Sequence, residues 1–302
     1  MYKQSSLSTL IIILSAILEP VTSAQVISLG EVLEWQSPPP DHRISYGPNP
    51  LQFGNLRIPS GKRPYPVVVF IHGGCWLSEF DIKHVGQAEI GISEAGYAVW
   101  SIEYRRLGDD GGGWPNTYLD VGKGIDYLRE IADLHTLDLN RVVVAGHSAG
   151  GSLALWAAAR VKIDNQSPIY IPNPLPVQAV FALAPAADLE AIQNRGSCGN
   201  AVGRLMGGEP SDQKERYRAA SPMQIAPISV PQTLIIGDQD HVWGPVGRSY
   251  YHHAVALGAD NIRIVDLPNS GHFEMISPST TTWPLVMAAL KETFEKSIPL
   301  GN

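Results

Sequence analysis

Six short runs of apolar, largely β-branched residues recur along this chain and constrain its fold more than any other feature. They lie at residues 66–71, 98–103, 142–145, 177–183, 233–236 and 262–265. Continuous apolar runs of this length are typical of strands buried on both faces of a parallel sheet. Helical periodicity separates several of them, most clearly in residues 117–132, 152–161 and 284–296. Strands that alternate with helices predict an open, mostly parallel α/β sheet.

Residues 1–24 carry the pattern of a secretory signal peptide. Lys3 precedes an apolar run at residues 10–18 that is too short to span a bilayer, and small residues end the stretch at Ala24. We expect cleavage near Ala24 and a secreted or periplasmic protein with no stable membrane anchor. The alternative is an internal first helix.

The remaining chain predicts one domain with an insertion. Apolar residues make up 44% of the 302 residues, enough for a large core. Residues 25–43 are rich in proline and polar residues, and we expect them to form an irregular lead-in to a domain over residues 44–302. Within it, residues 186–222 contain only short helical patterns broken by glycines. Long insertions of this kind often form lids, so we expect a small cap here.

The charge pattern argues against two classes of partner. The net charge is −7, charged residues make up 17% of the chain, and no basic run is present. This balance argues against a nucleic-acid partner or an anionic membrane surface. The small-molecule ester or amide substrate expected as partner follows instead from the motifs described below. No group of His, Cys and Asp has the spacing of metal ligands, so we expect no metal and no cofactor. The sequence carries no signal of oligomeric state.

The stretch Gly-His-Ser-Ala-Gly, centred on Ser148, lies between a predicted strand and a predicted helix. Small residues on both sides of a serine permit the sharp strand-to-helix turn that exposes a nucleophilic hydroxyl. The N-terminus of the following helix would present the amide of Ala149 to developing negative charge. Ser148 is therefore the candidate nucleophile.

A second glycine turn follows the first buried run, with the sequence His-Gly-Gly-Cys-Trp. Its glycines would let backbone amides approach a substrate oxygen, so Gly74 or Cys75 is the candidate second donor of an oxyanion hole. We interpret His72 as a structural histidine that fixes this turn.

A base and an acid follow in the chain order Ser, Asp, His. His272 stands at a glycine turn after the last predicted strand, and two acids, Asp238 and Asp240, follow the strand before it. Both acids remain candidates on position alone. His147, inside the serine turn, is expected to pack.

Several motifs together resemble the α/β-hydrolase superfamily, specifically its HGGxW esterase and kynurenine-formamidase-like group. They include IHGGCW, GHSAGG, IIGDQDHVW and GHFEMI, and the resemblance covers about residues 44–292. It implies the α/β-hydrolase fold, with a mostly parallel central sheet flanked by helices and a small cap insertion, and serine-hydrolase activity. It also implies that Asp240 rather than Asp238 is the acid.

The function expected first is hydrolysis of carboxylic esters of small substrates through an acyl-enzyme. An aryl formamide or amide hydrolase, or a small exopeptidase, shares the same chemistry and stays an alternative. A receptor or adhesion domain on this fold is the non-enzymatic alternative. The complete set of Ser148, Asp240 and His272 argues against it.

Two further groups of residues are assigned by position only. Trp76, Trp114 and Trp243 lie in loops near the predicted site and are candidates to line an acyl or aromatic pocket, with ordinary loop packing as the alternative. Cys75 and Cys198 remain after the expected cleavage. A disulfide between them would pin the cap over the site, and two buried thiols are the alternative.

Overall fold

The computed structural model describes residues 26–297. The expected signal peptide therefore lies outside the described residues. Within the described range, no helix is both long enough and apolar enough to cross a bilayer.

Eight of the strands found in residues 26–297 form a single sheet. The strands are β1 (His42–Ser45), β2 (Phe53–Arg57), β3 (Tyr65–Ile71), β4 (Ala98–Ile102), β5 (Leu137–His147), β6 (Ala179–Leu183), β7 (Ser197–Asn200), β8 (Gln232–Gly237) and β9 (Ile262–Leu267). The sheet order is β1-β2-β4-β3-β5-β6-β8-β9, with β7 outside it. Strands β3 to β6, β8 and β9 pair in parallel, whereas β2 pairs antiparallel with both β1 and β4. The mostly parallel sheet is confirmed.

Burial explains why the central strands were visible in the sequence. Every residue of β4, β6 and β8 is buried, as expected for strands covered on both faces. The edge strands differ: three of the four residues of β1 are exposed, and β9 is mostly half-buried. Helices therefore cover the middle of the sheet more completely than its edges.

The helices flank this sheet. They are α1 (Leu29–Glu34), α2 (Gly86–Glu94), α3 (Asn116–Asp126), α4 (Leu128–His135), α5 (Ala149–Ala158), α6 (Leu189–Arg195), α7 (Ala201–Met206), α8 (Lys214–Ala220), α9 (Pro222–Ile225), α10 (Gly244–Ala256) and α11 (Trp283–Ser297). Helix α5 packs on β5 and β6, and α11 packs on β6 and β8. The single helix predicted over residues 117–132 is divided at Tyr127. The Tyr127 carbonyl accepts from the amide of Glu130, three residues later, which is the hydrogen-bond spacing of a 3₁₀ turn and not of an α-helix.

The lead-in is not wholly irregular, which corrects the expectation for residues 25–43. Its helix α1 begins with a capping box, in which the Ser28 hydroxyl accepts from the Glu31 amide and the Glu31 carboxylate accepts from the Ser28 amide. The amide of Ile27 also donates to Glu274 Oε1 at 2.6 Å. Local capping and one long-range bond therefore order this segment.

The cap segment, residues 186–222, contains α6, β7, α7 and α8. Cys198 in β7 forms a disulfide with Cys75, which lies in the loop after β3. The amide of Trp114, in the loop after β4, donates to the Leu205 carbonyl of α7 at 2.9 Å. The disulfide closes a sequence separation of 123 residues. A cross-link of that span stabilises a fold by about 5 kcal/mol in the chain-entropy account, because it restricts the unfolded chain.

Candidate active site

Ser148 occupies a strained turn between β5 and α5. Its backbone angles are φ 57° and ψ −120°, a region that non-glycine residues rarely adopt. The Ser148 amide donates to the Leu183 carbonyl of β6 at 2.8 Å, which holds the turn in place. A Cβ atom at Gly150 would collide with the carbonyl oxygen of Ile71, and one at Gly146 would collide with the carbonyl of Gly150. The flanking glycines are therefore required by close backbone packing.

His272 and Asp240, in the loops after β9 and β8, form a hydrogen-bonded pair at the carboxyl end of the parallel strands, where Ser148 also lies. His272 Nδ1 lies 2.7 Å from Asp240 Oδ2, and Asp240 Oδ1 accepts the Trp243 amide at 2.9 Å. Burial acts to raise the pKa of Asp240. The hydrogen bond and charge of His272, with backbone amide bonds, outweigh burial and hold this pKa below its usual value. Asp238 instead accepts the Ser270 amide at 3.1 Å. Geometry thus pairs His272 with Asp240 rather than Asp238.

His147, the last residue of β5 and the neighbour of Ser148, contacts His272 directly. His147 Nε2 lies 2.8 Å from the carbonyl oxygen of His272, and the two rings have their centroids 4.5 Å apart. Among the described residues, the Ser148 hydroxyl makes no hydrogen bond to His272 or to any other group. Hydrogen bonds between a nucleophile and its base are often long in the absence of substrate and tighten in the Michaelis complex.

The turn after β3 packs directly against the serine turn. A Cβ atom at Gly73 would lie 3.0 Å from the Cβ of Ser148. Gly74 and Cys75 follow with positive φ values of 97° and 50°. Ala149 directly follows Ser148 as the first residue of α5 and is buried. The three residues predicted as oxyanion donors thus lie in the two turns that meet at the nucleophile.

A buried network of charged and polar side chains fixes the turn after β3 to the residues that follow β4. His72 is fully buried, and its Nε2 lies 2.8 Å from Glu103 Oε1 at the end of β4. Tyr104 stacks on the His72 ring and donates its hydroxyl to the His72 carbonyl at 2.9 Å. Burial acts to raise the pKa of Glu103, but the charges of His72 and Arg106 and a hydrogen bond hold it below its usual value. This geometry fits the structural role expected for His72, whereas Glu103 was not singled out by the sequence.

The three tryptophans expected in a substrate pocket lie in different environments. Trp243 is largely buried, with its ring centroid 5.7 Å from that of His272. Trp114 lines a cavity of about 940 Å³. The other walls of this cavity come from α8, which includes Arg216, from α9 and from the segment after α5. Trp76 has no exposed surface and belongs to the hydrophobic core. The enclosed ring of Trp76 fits the alternative of ordinary packing, and a pocket role for these tryptophans stays a prediction.

No group of three or more His, Cys, Asp or Glu side chains within residues 26–297 is arranged to hold a metal ion. The candidate site thus consists of a strained serine, a histidine–aspartate pair and backbone amides.

The chain is similar in sequence to proteins named as esterases. Esterase LipC of Mycobacterium tuberculosis is 29% identical over 256 residues, which cover 79% of this chain and 61% of LipC. Esterase EstD of Thermotoga maritima is 26% identical over 258 residues, which cover 77% of this chain and 60% of EstD. The chain therefore spans about three fifths of the length of both relatives.

Solved structures agree on the fold. Esterase B from Lactobacillus rhamnosis superposes with a TM-score of 0.73 at 19% identity, over 87% of this chain and 88% of that chain. This likeness confirms the α/β-hydrolase fold. The model of the BD-FAE family matches residues 56–249, more than half of the chain, and the match includes Ser148 and Asp240. The chain therefore belongs to the BD-FAE family, a family of α/β-hydrolase esterases.

Proposed function

We propose that this chain is a serine hydrolase that cleaves carboxylic esters of small substrates through an acyl-enzyme intermediate. The observation that carries the proposal is the 2.7 Å contact between His272 Nδ1 and Asp240 Oδ2 beside the strained turn of Ser148. Membership of the BD-FAE family and the names of LipC and EstD support ester substrates.

In the first half-reaction, His272 Nε2 accepts the hydroxyl proton as Ser148 Oγ adds to the substrate carbonyl. Asp240 accepts a hydrogen bond from His272 Nδ1, which fixes the tautomer and stabilises the imidazolium. The carbonyl oxygen becomes an oxyanion held by the amide of Ala149 and that of Gly74 or Cys75. The positive end of the α5 dipole favours the same charge.

Collapse of the tetrahedral intermediate breaks the bond between the acyl carbon and the leaving oxygen. His272 donates its proton to that oxygen, so the alcohol leaves neutral and Ser148 remains acylated. In the second half-reaction, His272 accepts a proton from water as the water oxygen adds to the acyl carbon. Collapse then releases the acid and returns the proton to Ser148.

The substrate class is tested by a panel of p-nitrophenyl acetate, butyrate and octanoate assayed beside N-formylkynurenine. We expect kcat/KM for at least one ester to exceed that for the formamide at least ten-fold, and the best chain length to report the size of the acyl pocket. Uncatalysed hydrolysis of each substrate sets the blank. Faster cleavage of N-formylkynurenine than of every ester would overturn the ester proposal in favour of an aryl formamide hydrolase.

We further propose that the protein is exported to an oxidising compartment. The disulfide between Cys75 and Cys198 supports this, because such bonds persist mainly outside the reducing cytosol. We expect protein from the host to lack the first 24 residues and to show no free thiol when denatured without reductant. Mass spectrometry and a thiol assay measure both. Host protein that retains Met1 and two free thiols would contradict export.

A further inference from the structure

The base of the proposed mechanism lies far from the nucleophile in the order of the sheet. Ser148 follows β5, whereas His272 follows β9, the edge strand, with β6 and β8 between them. Neighbouring strands lie about 4.8 Å apart, so the loop after β9 must return across two strands for its side chain to reach Ser148. The loop is anchored two residues before the base, where the Ser270 amide donates to Asp238 Oδ1 at 3.1 Å and the Ser270 carbonyl accepts from the Gln239 amide at 2.9 Å.

One side chain from the centre of the sheet contacts that returning loop at the base itself. His147, the last residue of β5, is 1% exposed and places its Nε2 2.8 Å from the backbone carbonyl of His272. Since a carbonyl oxygen only accepts, His147 Nε2 carries the proton and donates. The two imidazole rings pack with their centroids 4.5 Å apart, and Phe273 lies against both.

From this contact we propose that His147 is a positioning residue that fixes the backbone of His272 relative to the neighbouring nucleophile Ser148. The base is then held at two points, by Asp240 through its ring and by His147 through its carbonyl. His147 is joined to Ser148 by a peptide bond, so one rigid strand end sets the separation of nucleophile and base. The inference deepens the proposed ester hydrolysis and rests on it.

The surroundings of His147 also keep it uncharged. Its Nδ1 is buried and has no hydrogen-bond partner among the described residues. Burial, followed by the nearby charge of His272, lowers the pKa of His147 well below its usual value. A neutral His147 leaves the imidazolium of His272 without a like charge stacked against it during acyl transfer.

The test compares His147→Phe, which keeps a flat ring and removes the donor, with His147→Gln, which keeps a donor. We expect His147→Phe to lower kcat about ten- to a hundred-fold with little change in KM, because a small misplacement of a catalytic group has effects of that size. The loss in kcat/KM, which reports acylation, should be larger for ethyl butyrate than for p-nitrophenyl butyrate, because expulsion of the poor leaving group also needs a proton from His272. His147→Gln should retain more activity than His147→Phe.

Three results would overturn the inference while leaving ester hydrolysis by the wild type intact. These are an unchanged kcat in His147→Phe, equal losses in both variants, or a smaller loss in kcat/KM with ethyl butyrate than with p-nitrophenyl butyrate. A wild type inactive toward every ester would instead remove the proposed function. A measurement on the wild type covers the case in which neither variant folds: ¹⁵N NMR should show His147 as the neutral Nε2–H tautomer. A charged ring or the Nδ1–H tautomer would exclude the hydrogen bond to His272.

Discussion

Replacing Ser148 by alanine is expected to lower kcat for p-nitrophenyl butyrate by about a million-fold, the size of loss found when the nucleophile of a serine hydrolase is removed. The substitution deletes the only protein atom that bonds to the acyl carbon in the proposed mechanism. It leaves the oxyanion donors and the His272–Asp240 pair in place. Initial rates over a range of ester concentrations give kcat for each purified protein.

Ser152 provides a matched control for this substitution. It lies one helical turn further along α5, is 1% exposed, and is also a serine followed by an apolar residue. We expect Ser152→Ala to keep kcat within a few-fold of the wild type. Wild-type turnover by Ser148→Ala would show that another group is the nucleophile, and the proposed acyl-enzyme would have to be abandoned.

Labelling offers an independent view of the same residue. A phosphonate ester with a good leaving group should add one phosphonyl group to each wild-type chain, measured as a mass increase. Peptide mapping should place that group on Ser148. The strained backbone of this residue and its position at the N-terminus of α5 favour attack there over attack by any other serine.

The central sheet could be predicted from sequence because its strands are buried on both faces. Apolar runs in β4, β6 and β8 coincide with complete burial. Strand β1 has the sequence HRIS, whose exposed side chains give no such run, so its pairing with β2 was not visible. The break at Tyr127 was also missed, because the amphipathic pattern continues across it from α3 into α4.

The sequence predicted which loops carry the residues of the candidate site, but it did not predict which of their side chains are in contact. Parallel strands end at one edge of the sheet, so residues in the loops after β5, β8 and β9 meet there. Chain order alone could not separate Asp238 from Asp240 because both lie in one loop. The 2.8 Å bond from His147 to His272 joins residues 125 positions apart and depends on the path of the loop after β9. Such contacts leave no local signal in the sequence.

The direction of the tryptophan side chains could not be predicted from the sequence either. Proximity to a predicted site says which loop carries a residue, and not which way its ring is directed. Trp76 directly follows Cys75 in the turn after β3, and its own positive φ of 57° accompanies a side chain enclosed in the core. Trp243 instead packs near the ring of His272. Backbone conformation, which the residue type did not reveal, decides between the two outcomes.

Replacing Asp240 by asparagine is expected to lower kcat about ten-thousand-fold, the size of loss seen when the acid of a Ser-His-Asp triad becomes an amide. The introduced amide can donate to His272 Nδ1, which would place the ring proton on Nε2 and prevent that nitrogen from accepting the proton of Ser148. The pKa of Asp240 lies below its usual value, so its carboxylate is ionised at neutral pH and the loss should be fully developed there. Comparison of kcat for the two proteins at pH 7 measures it.

Asp238→Asn is the matched control, since it makes the same change two residues away in the same loop. Asp238 accepts the amide of Ser270, which an asparagine oxygen can also accept, so we expect kcat within about ten-fold of the wild type. A ten-thousand-fold loss in Asp238→Asn together with an active Asp240→Asn would reassign the acid. A specific bond to His272 predicts losses that differ by several orders of magnitude between these two neighbouring aspartates. Comparably severe losses in both variants would therefore show that the loop contributes as a structural unit and not through one hydrogen bond.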